Sequence, residues 1–286
     1  METKKEIVLS KILQLTWQDE EFKVNLLNLL FPKNCRDNKR NSNEQLSQIY
    51  EYCIERVVRN QAKDFYKGFP LHDQIPALEE DFVRMEFFRR KDNFEDFSLA
   101  VYQQIERITN QLWINKKFAA IFKTMLCCPA YINLPKNQAK NNAKPTLYDR
   151  PKSSFTIGDL IFFGKNPESE GNNAKTIPAL TAIEKIRSVT YFIGYKASMT
   201  RNDFLSYKEL NSLLYNIYQC RNLNHRGGEK SAQQQENINR ILSLKTFYYF
   251  KFMGALAQYV DSIKNGYPFL PEIEKYATSL DSKEID

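Results

Sequence analysis

Tyr207-Lys-Glu-Leu-Asn-Ser-Leu-Leu-Tyr-Asn-Ile-Tyr-Gln-Cys-Arg-Asn-Leu-Asn-His-Arg-Gly-Gly228 is the stretch from which the fold reads outward. Leu210, Leu213, Leu214, Ile217 and Tyr218 recur at three- and four-residue steps, which predicts an amphipathic helix with one apolar stripe turned toward other protein. At about 100° per residue, Arg221 falls within roughly 20° of the Leu210 direction and His225 within roughly 60°, so both extend the apolar face. Gly227 and Gly228 suit the left-handed closure of a helix and place the pair in or near its last turns. Two readings are open at this point. Arg221 is either a buried cation paired with a carboxylate, with His225 complementing the negative helix end, or half of a working pair projecting from neighbouring turns.

The surrounding pattern is helical. Residues 4–31 read as two short helices, and Leu46, Tyr50, Cys53 and Val57 as part of a third. A turn-rich connector with Gly68, Pro70 and Pro76 carries His72, read as a surface histidine. Leu78 to Arg90 is helical, with Glu79, Glu80 and Asp81 expected in its first turn. Asp92 or Asn93 caps a long helix from Phe94 to about Trp113, whose Phe97, Val101, Ile105, Ile108 and Leu112 lie on one stripe. Lys116 to Cys128 is its partner. The Asn-, Lys- and Pro-rich stretch 131–178 reads as an insertion in which Phe155 to Phe163 forms a β-ribbon or an ordered loop. Helical pattern resumes at Ala179 to Tyr195 and ends in one long segment, Ser231 to Lys264, with Ser231 as N-cap. The expected organisation is an all-α chain with an N-terminal helical region (1–85), a helical bundle (86–265) and a tail (266–286).

Across 286 residues, 41 Lys plus Arg against 34 Asp plus Glu leave a net charge of +7, which favours an anionic partner. No apolar run reaches the length of a bilayer span, so a cytoplasmic protein without a membrane partner is expected. Five cysteines without a framework read as reduced thiols. With two distant histidines and no Cys-x-x-Cys or His-Glu-x-x-His spacing, neither a metal site nor a cofactor is expected.

The string Cys-Arg-Asn-Leu-Asn-His-Arg-Gly, with Arg221, Asn222 and His225 near the end of an apolar-striped helix, resembles the HEPN superfamily of ribonucleases and RNA-binding helical domains. The resemblance covers roughly 86–264, and three residues separate Arg from His where the family pattern usually has four to six. It implies a metal-independent endoribonuclease, with no cofactor, whose site forms across a homodimer, often in antiviral defence or toxin modules with a complex or antitoxin partner. By that resemblance Arg221 and His225 are catalytic; by residue type Asn222 either orients the phosphate or holds the helix end, and Arg226 adds attraction to the RNA backbone. The alternative is a non-catalytic RNA-binding or protein-interaction subunit. Residue chemistry is compatible with cleavage: an imidazole moves the protons of 2′-hydroxyl attack, and a guanidinium grips phosphate with two parallel hydrogen bonds.

Overall fold

The computed structural model describes residues 4–30, 42–114, 117–128, 130, 156–162, 180–194, 201–221, 223 and 231–269. Its elements are α1 (Lys4–Gln18), α2 (Glu20–Leu30), α3 (Ser42–Tyr66), α4 (Ile75–Arg90), α5 (Phe94–Ile114), α6 (Lys117–Cys127), α7 (Ile157–Phe162), α8 (Ala182–Gly194), α9 (Arg201–Cys220), α10 (Ala232–Ser243) and α11 (Lys245–Gly266). The fold is all-α, and no β-strand occurs among the described residues. Among the described residues, no helix is long and apolar enough to cross a membrane.

Compactness divides the chain after Asp64. In the first unit Leu15, Phe22, Leu26 and Cys53 form a small core flanked by Ile12, Ile49, Tyr52 and Val57. Asp19 fixes the turn between α1 and α2: it caps the Phe22 N–H at 2.9 Å and accepts from Arg56 Nε at 3.0 Å. That guanidinium, more than the backbone donor, holds the Asp19 carboxyl below its usual range.

The second unit, from Phe65 on, is organised around α5, which packs against α4, α6, α8, α9 and α11. Its expected stripe is the core, with Phe97, Val101, Ile105, Ile108 and Leu112 all buried. Asn93 is the cap. Its Oδ1 accepts the Asp96 N–H at 3.1 Å, while its Nδ2 donates to the Asp96 carboxylate at 2.7 Å. Asp92, at φ 55°, takes the left-handed turn before it and ties α11 to that corner through Lys245 (2.5 Å) and the Tyr249 hydroxyl (3.3 Å). Thr109 and Gln104 are two polar groups inside this core that find partners. Thr109 donates to the Ile105 carbonyl at 2.7 Å and accepts from Tyr259 at 2.8 Å, and Gln104 accepts from Tyr66 at 2.7 Å. Gly266 is demanded by packing, because a Cβ there would lie 2.8 Å from the Ile193 carbonyl oxygen.

Four sequence expectations are corrected. The boundary of compact units lies at 64/65 rather than 85/86, because α4 packs along α5. α4 begins at Ile75 with Pro76 beside its start, so Asp81 is a buried mid-helix residue rather than a first-turn one. Within 155–163, Ile157 to Phe162 is a helix and not a ribbon: Thr156 and Asp159 cap one another and Ile157, Ile161 and Phe162 are buried. The segment after Ser231 is two helices. Ser231 does cap it, in a reciprocal box with Gln234, but Leu244 at φ −116° and ψ 27° breaks it. The rest of 131–178 lies outside the described residues.

Candidate functional site

α9 starts at Arg201 and ends at Cys220, so Arg221 is the first residue beyond the helix. Its N–H still donates to the Ile217 carbonyl at 3.1 Å, and its side chain folds back so that Nη1 donates to the Tyr218 carbonyl at 2.5 Å. This satisfies a helix-end carbonyl and fixes the guanidinium in place. The guanidinium carbon lies 3.5 Å from the centre of the Tyr218 ring and 5.0 Å from that of Tyr102 on α5. Arg221 is half-buried and meets no carboxylate among the described residues.

The array continues in both directions. Tyr102 donates to Glu106 Oε1 at 2.7 Å, and burial first, with the Glu106 carboxylate second, pushes its phenol well above the usual range while Arg221 works against both. On the other side Tyr215 stacks on Tyr218 with centres 6.4 Å apart, and the Arg187 guanidinium carbon lies 5.3 Å from the Tyr215 ring centre. Arg187 on α8 is fully buried, donates to the Ile161 carbonyl at 3.1 Å, and has its pKa lowered by burial. Two arginines therefore flank a run of tyrosines, one inside the core and one at its edge.

Glu106 is also a wall of an open groove of about 430 Å3 between α4 and α5. Gln74, Gln103, Asn110 and Gln111 supply carboxamides there, and Asp81 holds Arg84 at 2.9 Å and Arg107 at 3.2 Å. Asp81 thus sets one negative charge against two partly exposed cations, whereas Arg221 pairs with no carboxylate among the described residues.

Of the residues singled out from the sequence, Arg221 is placed in this array, whereas Asn222, His225 and Arg226 lie outside the described residues. His72 is exposed in a single 3-10 turn, His72–Gln74, as expected of a surface histidine. Tyr102, Tyr215, Tyr218, Arg187 and Glu106 were not assigned to the site by sequence reasoning. The i, i+3 repeat Tyr215, Tyr218, Arg221 is the available signal for two of the five. Comparison with family models, with curated proteins and with solved structures returned no match.

Proposed function

We propose that this chain is a metal-independent endoribonuclease of a defence or toxin module, with a HEPN-like bundle as its scaffold and a homodimer as its working form. The observation that carries the reading is the state of Arg221: over the rings of two tyrosines, pinned by its own helix end, and facing no carboxylate among the described residues. A guanidinium held in this way keeps hydrogen-bonding edges for a phosphate. His225, four residues on, is the proton carrier for attack by the neighbouring 2′-hydroxyl, Asn222 and Arg226 add contacts to the backbone, and Arg221 stabilises charge on phosphorus. The carboxamides beside Glu106 are suited to the edges of an adjoining base.

Arg221 so placed also supports a second reading, binding of RNA without cleavage, since gripping a phosphate requires no proton transfer. Incubating RNA with the wild-type chain in EDTA separates the two. Cleavage that is lost in Arg221→Ala and His225→Ala supports the enzyme, and retained binding without cleavage supports the RNA-binding subunit.

A further inference from the structure

The face of α5 that borders α4 is a polar stripe. Gln103, Glu106, Arg107, Asn110 and Gln111 recur at three- and four-residue steps, and with Asp81 and Arg84 of α4 they line the groove of about 430 Å3. That volume suits a ligand of nucleoside scale. Among the described residues the lining contains no lysine, and its two arginines face two carboxylates, Asp81 and Glu106. A groove so balanced in charge suits an uncharged hydrogen-bonding group better than a phosphate.

Glu106 is the informative member. A glutamate on a helix commonly pairs with a cation one turn away, but residues 102, 103, 109 and 110 are Tyr, Gln, Thr and Asn, and Arg107 beside it turns to Asp81. The Tyr102 hydroxyl anchors Oε1 of Glu106 at 2.7 Å. Glu106 is half-buried and forms no ion pair among the described residues, so the groove contains a fixed group that only accepts hydrogen bonds. Arg107 supplies the opposite polarity. It engages Asp81 through Nε at 3.2 Å, which leaves both terminal amino groups as donors.

We infer that this groove takes a guanine base. Among the four bases of RNA, guanine alone presents two adjacent donors, N1–H and the N2 amino group, which match the two oxygens of a carboxylate. Its other edge presents two acceptors, O6 and N7, which match the amino groups of an arginine. Adenine and cytosine place an acceptor beside their amino group, and uracil has one donor flanked by acceptors, so each sets a lone pair against Glu106. Tyr102 relates the base to a phosphate: its hydroxyl holds Glu106, and its ring centre lies 5.0 Å from the Arg221 guanidinium carbon. The base is then that of the nucleotide whose phosphate Arg221 grips. For that phosphate the inference rests on the ribonuclease reading, but recognition of the base requires no cleavage.

The first arm of the test is isothermal titration calorimetry of the full chain in EDTA with the 5′-monophosphates of guanosine, adenosine, cytidine and uridine. GMP should bind about tenfold or more tightly than the other three. Inosine 5′-monophosphate lacks the N2 amino group and should lose most of that advantage, and 7-deaza-GMP, without the N7 acceptor, should lose part of it. Glu106→Gln keeps the side-chain length and an acceptor for Tyr102 but sets a donor against the base donors, and should abolish the preference while binding the other three as before. The second arm compares an oligouridine strand carrying one guanosine with its adenosine counterpart. Tighter binding of the guanosine strand than of GMP assigns the groove to RNA, and equal binding assigns it to a free nucleotide. No preference for guanine in either arm, or a preference that survives in Glu106→Gln, would overturn the inference. RNA cut in EDTA with no bias toward guanosine would overturn it and leave the ribonuclease reading standing, whereas guanine-selective binding without cleavage would do the reverse.

Discussion

Replacing Arg221 with alanine separates a site residue from a structural one, because the structure sets the stability cost. A cation–π contact at a half-exposed site contributes about 0.5–1 kcal/mol. Arg221 makes two, to Tyr102 and Tyr218, and among the described residues it faces no buried carboxylate that its loss would orphan. The expected cost of Arg221→Ala is therefore about 1–2 kcal/mol. In a unit of this size that is a fall in Tm of about 2–8 °C with helical content unchanged. A buried ion-pair member would cost about 3–5 kcal/mol. The catalytic loss should be far larger than the stability loss, about 100- to 1,000-fold in EDTA-resistant RNA cleavage at a temperature where the variant is fully folded. Arg221→Lys keeps the charge but lacks the planar fork and should recover little of the activity. Thermal melts beside single-turnover cleavage make the measurement. Loss of folding in proportion to loss of activity would refute the assignment.

Tyr102→Phe keeps the ring beneath Arg221 and removes only the hydrogen bond to Glu106, so it should stay within about 1 kcal/mol of wild type, whereas Tyr102→Ala should release Arg221 and lower RNA affinity as well; equilibrium denaturation and RNA titration check both. Gly266→Ala should destabilise by about 1–3 kcal/mol, since the new methyl meets the Ile193 backbone, and calorimetry would show it. Asp19 and Asp92 have folded-state pKa values depressed, first by Arg56 and Lys245 respectively, so their contribution is present above the unfolded carboxylate range near about 4 and is lost as pH falls through the folded values. Asp92→Asn should accordingly flatten part of the acid limb of a stability-versus-pH curve, and an unchanged limb would remove Lys245 from that role.

The parts of this fold that announce themselves in the sequence are those where one helix face decides. The α5 stripe from Phe97 to Leu112 and the Asn93 and Ser231 caps are local patterns, and they are where they were expected. The break at Leu244 is not local: apolar periodicity runs through it on both sides, and only the separate packing of α10 and α11 against α9 makes two helices of one pattern. The short helix at Ile157 was hidden by the Asn- and Lys-rich stretch around it, although Thr156 and Asp159 are a capping pair. For the site, periodicity singled out Arg221 as a cation on an apolar face. It gave no sign that the ring opposite would be Tyr102, on a different helix, or that the buried carboxylate of Asp81 would hold Arg84 and Arg107.

The central claim, transesterification by this chain's own side chains at Arg221 and His225, is tested most directly with an RNA oligonucleotide carrying a single 2′-deoxy nucleotide at the mapped cut site, incubated in EDTA. The expected result is cleavage of the all-ribose strand to a 2′,3′-cyclic phosphate and a 5′-hydroxyl, with no cut at the deoxy position and none by Arg221→Ala. Continued cutting at the deoxy position, or products bearing 5′-phosphates, would contradict it.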